Sequence, residues 1–221
     1  MNKVDIWHKP FTSRARVSTE GLSVEETLKA EKFYREEDRQ RYITAHLFLR
    51  AVLSHYFPSI KAETWCFEVN AYGKPSLAKK HGVDLHFNLS HSASHIYIVC
   101  CKAYECGIDV EEIKEMELTP ELLNLVMSKE EQQEFLFSQD QERLFFKYWT
   151  LKEAHVKALG KGVSLPLNCV SFKALESRPE HFSVAKHQYY TFYFKENFYL
   201  SFVVLECKEE IEINFYKEEE L

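Results

Sequence analysis

FFKYWTLKEAHVKALGKG, residues Phe145 to Gly162, is the stretch on which the reading of this chain turns. As a helix it brings Trp149, Glu153 and Lys157 onto one face, because a four-residue spacing nearly matches the helical turn. That stripe has two readings. An exposed Glu–Lys pair beside a buried Trp is common and contributes about 0.2–0.5 kcal/mol. An aromatic, a carboxylate and an ammonium on one face are equally the parts of a catalytic surface. Two further segments give the second reading its weight: FNLSHS, Phe87 to Ser92, and GIDVE, Gly107 to Glu111.

In GIDVE, Asp109 and Glu111 are one residue apart, so a strand points both carboxylates to one face and Val110 into the core. Two convergent carboxylates are unfavourable without a cation, since each raises the other's cost of ionisation. Glu153, if its helix packs beside that strand, would complete an oxygen cage that suits Mg²⁺ better than zinc. The plainer reading makes Asp109, Glu111 and Glu112 a solvated strand end. In FNLSHS, Ser90, His91 and Ser92 form a polar run after an apolar strand, where binding groups commonly sit. They can hold a phosphate by hydrogen bonds, or form a turn capped by Asn and Ser. The Tyr72–Gly73–Lys74–Pro75 turn offers a backbone N–H and a cation, or only a loop. Lys29 and Arg41, on two early helices, reach a second phosphate unless they belong to solvated faces.

Working outward, 221 residues suffice for one large or two small domains with a substantial core. Aromatics make up 14%, which predicts an aromatic-rich interior. No apolar run approaches the roughly 20 residues that cross a bilayer, and the N-terminal stretch lacks a secretory signal, so a cytoplasmic protein without membrane association is expected. The six cysteines include no CxxC pair, which predicts buried free thiols rather than disulfides or zinc. Cys100 and Cys101 leave their strand on opposite faces. A formal charge of −6 argues against nucleic acid, which needs a basic footprint.

Along the chain, residues 1–19 read as one or two short strands. Ser23 with Glu26 predicts a capping box for a helix to about Tyr34, and a second helix follows from about Glu36 to His55. Strands are predicted at Trp65–Asn70, Leu85–Leu89 and His95–Cys101, with another starting at Gly107. The order then repeats. Pro120 starts a helix to about Met127, Ser128 caps one at Glu130–Phe137, and the long helix runs from Gln139 to Leu159, ending at Gly160. Strands follow at Cys169–Lys173, Tyr189–Lys195, Phe198–Leu205 and Glu210–Tyr216, with a hairpin turn at Lys195–Glu196–Asn197. The expectation is an α+β fold of two similar helix-plus-antiparallel-sheet halves, residues 1–106 and 107–221.

The ordered set YGKP, FNLSHS, GIDVE and WTLKEAHVKALGKGVSLPL closely resembles the surfactin-synthetase type of 4′-phosphopantetheinyl transferase, from about Phe33 to Leu167. The resemblance implies a pseudo-twofold monomer with the active site between its halves. It implies transfer of phosphopantetheine from coenzyme A to a serine of an apo acyl or peptidyl carrier protein, releasing adenosine 3′,5′-bisphosphate. By position, Asp109, Glu111 and Glu153 would hold Mg²⁺. Glu153 would also accept the serine proton, and Lys157 would stabilise or protonate the leaving phosphate. Ser90 and His91 would bind phosphates, Lys74 and Lys29 the 3′-phosphate, and the Tyr72–Gly73 backbone would lie near adenine. At the first helix the chain departs from the family, with Glu26 and Glu31 where cations are expected and Arg41 as the compensating cation. A carrier would dock on Leu122, Leu123, Val126 and Met127, which otherwise read as a core-facing stripe. Fatty-acid, polyketide, nonribosomal-peptide, siderophore and lysine-biosynthesis carriers all remain open. The competing readings are a non-catalytic coenzyme A- or carrier-binding module and another Mg²⁺-dependent phosphoryl-transfer enzyme.

Overall fold

Period-two alternation sets the architecture. The computed structural model describes residues 2–13, 16–172 and 174–221. In strand β1 (Asn2–Pro10), Val4 and Ile6 bury on one face and Trp7 on the other. In β5 (His95–Cys101), Ile96, Ile98 and Cys100 join Trp7, while Tyr97, Val99 and Cys101 join Val4 and Ile6. Both faces are therefore covered, which explains why HIYIVCC is apolar almost throughout. Helix α2 (Glu36–Tyr56) covers one face through Phe48, Leu49, Val52 and Leu53. The other face meets a second sheet, whose strands β6 (Cys106–Glu112) and β9 (Phe198–Val204) bring Ile108, Val110, Phe202 and Val204. The far side of that sheet carries helix α5 (Gln141–Leu159), packed through Phe145, Leu151 and Ala154. The layers run helix, sheet, sheet, helix.

The first sheet has the order β10 (Ile211–Lys217), β1, β5, β4 (His86–His91). The second has the order β6, β9, β8 (His187–Phe194), β7 (His181–Val184), all antiparallel. Between α2 and β4, β2 (Phe67–Val69) and β3 (Pro75–Leu77) form a separate hairpin. Short helices α1 (Val24–Ala30), α3 (Pro120–Val126) and α4 (Lys129–Phe137) complete the chain.

The two halves share one device. Ser23 and Glu26 form a capping box on α1, and Ser128 and Glu131 form another on α4. Each box's glutamate is also buried and grips a cation on the long helix of its half. Glu26 Oε2 accepts from Arg50 Nη2 at 2.5 Å and Nε at 3.1 Å, and Glu131 pairs with the fully buried Lys152. Lys152 also donates to the Val126 carbonyl at 2.7 Å, and Arg50 to those of Ala62 and Trp65. Capping and tertiary anchoring thus fall on the same side chain.

Burial alone would raise the Glu26 pKa. Hydrogen bonds from His46, the Ser23 N–H and Arg50 outweigh it and hold the group at about 2, against 4.5 ordinarily. A depressed carboxylate stabilises the fold above its unfolded pKa and loses that contribution as pH falls toward the folded one. Glu26 therefore contributes about 3 kcal/mol at neutral pH that fades between about pH 4.5 and 2. Urea titrations of the wild type and Glu26→Gln should show a stability gap that narrows over that window. A gap independent of pH would refute the assignment.

Several expectations are corrected. β10 leaves the second half and pairs in parallel with β1, Asn2 opposite Ile211, so the first sheet is mixed rather than antiparallel throughout. Residues 169–172 form no strand: Leu167–Cys169 is a helical turn, and Phe172 buries by packing instead of pairing. The remaining residue of that expected strand, Lys173, lies outside the described residues. The outer strand is HFSV at 181–184. Helix α1 ends at Ala30 rather than Tyr34, and β3 went unanticipated. All six cysteines are free, with Cys100 and Cys101 on opposite faces, but Cys169 is exposed and Cys66 only partly buried. Among the described residues, no helix is long and apolar enough to cross a membrane.

Candidate active site

Asn88 Oδ1 on β4 accepts from the Ile108 N–H on β6 at 2.9 Å, stitching one sheet to the other where the halves meet. Just beyond this stitch, Ser90 and His91 face Asp109 and Glu111, and α5 supplies Trp149, Glu153 and Lys157 to the same cavity of about 250 Å³. Helix α5 comes this close because residue 107 is glycine. A Cβ there would stand 2.2 Å from the Ala154 carbonyl oxygen and 2.3 Å from the Ala158 nitrogen. Gly107→Ala is expected to destabilise the protein by about 1–3 kcal/mol, because helix backbone must move. It should also lower transfer activity by shifting Glu153 and Lys157. A variant with unchanged melting temperature and turnover would contradict the close packing.

Asp109 is 4% exposed, and its Oδ1 accepts from Lys157 Nζ at 2.5 Å and Ser90 Oγ at 2.9 Å. Lys157 also donates to Ser90 Oγ at 3.0 Å. Three elements from both halves thus converge on one carboxylate oxygen. The other oxygen, Oδ2, is buried with no hydrogen-bond partner among the described residues. Burial, then repulsion from Asp109, pushes the Glu111 carboxyl up to about 7 and raises that of Glu153. An orphaned carboxylate oxygen beside two carboxyls that resist ionisation is a donor set suited to a hard divalent cation. Asp109, Glu111 and Glu153 line one cavity, although no three such side chains among the described residues are already gathered to metal-binding distance. His91 is held below its ordinary pKa by burial and then by the nearby charges of Arg41 and Lys157. The positive charges that disfavour its protonation make this side of the cavity suited to an anion.

The cavity shares walls with two grooves. Past Leu89 it meets a groove of about 590 Å³, walled by Lys29, His46, Phe67, Gly73 and Pro75. Past Trp149, Glu153 and Lys157 it meets an apolar groove of about 420 Å³ with Leu122, Leu125, Val163 and Leu165 in its walls.

Of the remaining candidates, Lys29 stands 5.4 Å from the Tyr42 ring centroid and Gly73 lines the first groove. Tyr72 is largely exposed at the hairpin tip. Arg41 pairs with Glu37 and Asp38 on its own helix and lies over Phe11, yet its Nε is buried without a partner among the described residues. Lys74 does not face the groove. Its ammonium donates to Glu105 at 2.6 Å and to the Ala158 carbonyl at 2.8 Å, so the expected 3′-phosphate contact is corrected. Val126 and Met127 are 1% exposed and belong to the core, whereas Leu125 and Val163 present apolar surface. Glu112 reads from the sequence as a strand-end charge. Its Oε1 accepts from Ser92 Oγ and from the N–H and Oγ of Ser94, holding the turn after His91. The serines at every second position, 90, 92 and 94, were its only sequence signal.

Comparison with known proteins agrees with this geometry. The profile of the 4′-phosphopantetheinyl transferase superfamily matches residues 105–205, and that of the 4′-phosphopantetheinyl transferase N-terminal region matches residues 6–103. The chain is 32% identical over 155 residues to 4′-phosphopantetheinyl transferase Sfp of Bacillus subtilis strain 168, covering 69% of this chain and 66% of that protein. It is 32% identical over 168 residues to 4′-phosphopantetheinyl transferase ffp of Bacillus subtilis, covering 72% of each. It is 28% identical over 169 residues to 4′-phosphopantetheinyl transferase HetI of Nostoc sp. PCC 7120, covering 74% of this chain and 71% of that protein. The aligned stretches thus span about two thirds of the relatives' length. With both profiles placed end to end along the two halves whose junction forms the cavity, this chain belongs to the 4′-phosphopantetheinyl transferase superfamily, in its surfactin-synthetase-type branch.

Proposed function

We propose that this protein transfers the 4′-phosphopantetheine group of coenzyme A to a serine of an apo acyl or peptidyl carrier protein, with Mg²⁺ bound by Asp109, Glu111 and Glu153. The observation that carries the reading is the row of three neighbouring spaces with shared wall residues: a nucleotide-sized groove, a charged cavity and an apolar groove. Coenzyme A would lie with its nucleotide in the first, near Lys29 and Gly73, and its pyrophosphate in the second. The carrier would approach over the third, where Leu125 and Val163 are exposed.

The carrier's serine oxygen attacks the phosphorus that bears pantetheine, and the bond to the bridging oxygen of adenosine 3′,5′-bisphosphate breaks. The bound cation supplies neutralisation of the pyrophosphate charge. Glu153, facing the cavity from the α5 side, takes the serine proton, a role earned by position. Lys157, one turn along α5, stabilises the charge gathering on the departing phosphate. Ser90 and neutral His91 donate hydrogen bonds to phosphate oxygens. Burial of Asp109 keeps these charges in a low-dielectric setting where they act strongly.

The deciding experiment is the intact mass of an apo carrier after incubation with coenzyme A, Mg²⁺ and this protein. A gain of one phosphopantetheine that disappears with EDTA is expected. Coenzyme A binding without any gain across several carriers would favour a binding module.

A further inference from the structure

The β2–β3 hairpin belongs to the first half and walls the nucleotide-sized groove through Phe67, Val69, Gly73 and Pro75. Its tip reaches across to the second half, to the end of α5. Asn70 Nδ2 donates to the Gly160 carbonyl at 2.8 Å, and Lys74 Nζ donates to the Ala158 carbonyl at 2.8 Å. The last carbonyls of a helix have no partner within it, and the negative end of the helix dipole favours a cation. The tip supplies both needs from another part of the chain.

The fit is tight and braced. Gly160 terminates α5 in the left-handed conformation, φ +64°, and a Cβ there would stand 2.9 Å from both Asn70 Nδ2 and Lys74 Cδ. A Cβ on Gly162 would come 3.2 Å from the Tyr72 carbonyl oxygen. Within the tip, Asn70 Oδ1 accepts from the N–H groups of Tyr72 at 2.9 Å and Lys74 at 3.0 Å, so the donors are held by their own turn. Glu105, just before β6, anchors Lys74 from the other side at 2.6 Å.

Lys157 lies one residue before Ala158 and Glu153 one turn further back, so the capped end is the catalytic end of α5. We infer that Asn70 and Lys74 are positioning residues: they fix the register of α5 against the cavity and tie it to the wall of the nucleotide groove. This rests on the transferase reading for the identity of the reaction. It assigns Lys74 a role distinct from phosphate binding, because its ammonium points away from the groove and is already engaged.

The test uses the full-length protein with Asn70→Ala, Lys74→Met and Lys74→Arg. Turnover is measured with coenzyme A and with 3′-dephospho-coenzyme A, and amide hydrogen exchange is followed at residues 154–161. The expected result is a fall in kcat of about tenfold to a hundredfold for Asn70→Ala and Lys74→Met with little change in KM, as loss of alignment predicts. The fall should be equal with both substrates, Lys74→Arg should recover part of it, and exchange over 154–161 should accelerate. A loss confined to KM that vanishes with 3′-dephospho-coenzyme A would make Lys74 a phosphate ligand and overturn the inference. Unchanged exchange over 154–161 would overturn it as well, even if the wild type transferred nothing. Wild-type inactivity would by itself fail only the transferase reading. If Lys74→Met does not fold, Asn70→Ala alone decides by the same readouts.

Discussion

Replacing Glu153 by glutamine is expected to lower kcat for carrier modification by about 10²–10⁴-fold, the contribution usual for a positioned acid–base group. Glutamine keeps the size of the side chain but has no lone-pair carboxylate oxygen to take a proton. Because Glu153 lines the cavity and makes no side-chain hydrogen bond among the described residues, folding should be unaffected. The loss should persist at saturating Mg²⁺, since weaker metal binding alone would be restored by more metal. Single-turnover conversion of an apo carrier, followed by mass, is the measurement. Turnover within threefold of wild type would remove Glu153 from its role and make Glu111, which lines the same cavity with its carboxyl pushed up to about 7, the next candidate base. Asp109 is poorly suited, because Lys157 and Ser90 already occupy Oδ1.

The second large effect concerns stability rather than chemistry. Lys152→Met is expected to cost about 3–5 kcal/mol, the usual result of removing one member of a buried ion pair. The side chain is fully buried, and its loss strands the Glu131 charge and the Val126 carbonyl together. Glu131 would still cap α4 through the Ser128 N–H and accept from the Phe172 N–H at 2.7 Å, so it cannot simply turn to solvent. Adding Glu131→Gln should restore part of the loss, giving a coupling energy between the two sites. Urea denaturation of the two single variants and the double variant measures it. Strict additivity would show that the two side chains stabilise independently.

Local signals were legible. Both capping boxes, the stop at Gly160 and the Lys195–Asn197 turn follow from short-range rules and lie where those rules put them. The cavity was legible for a related reason. One-residue spacing on β6 and four-residue spacing on α5 each fix a face, and only the pairing of the two faces needed the fold. What escaped depended on distant partners. Glu26 looked like a departure from an expected cationic surface, yet it is buried because Arg50 comes from a different helix. Lys74 looked free because Ala158 and Glu105 lie far along the chain. Residues 169–172 carry β-favouring side chains, but Phe172 finds its place against Tyr189 and Phe182 without a ladder partner. HFSV at 181–184 is too short to announce itself.

The parallel pairing of β1 with β10 fixes the timing of assembly. During synthesis the residues of β1, β4 and β5 emerge early, and α2 with them, but the edge beside β1 stays open until residues 211–217 have been made. Until then the nascent first half presents a bare strand with unpaired N–H and C=O groups, a template for the wrong neighbour. Residues 1–106 expressed alone should therefore self-associate, and adding a peptide spanning 205–221 should suppress this.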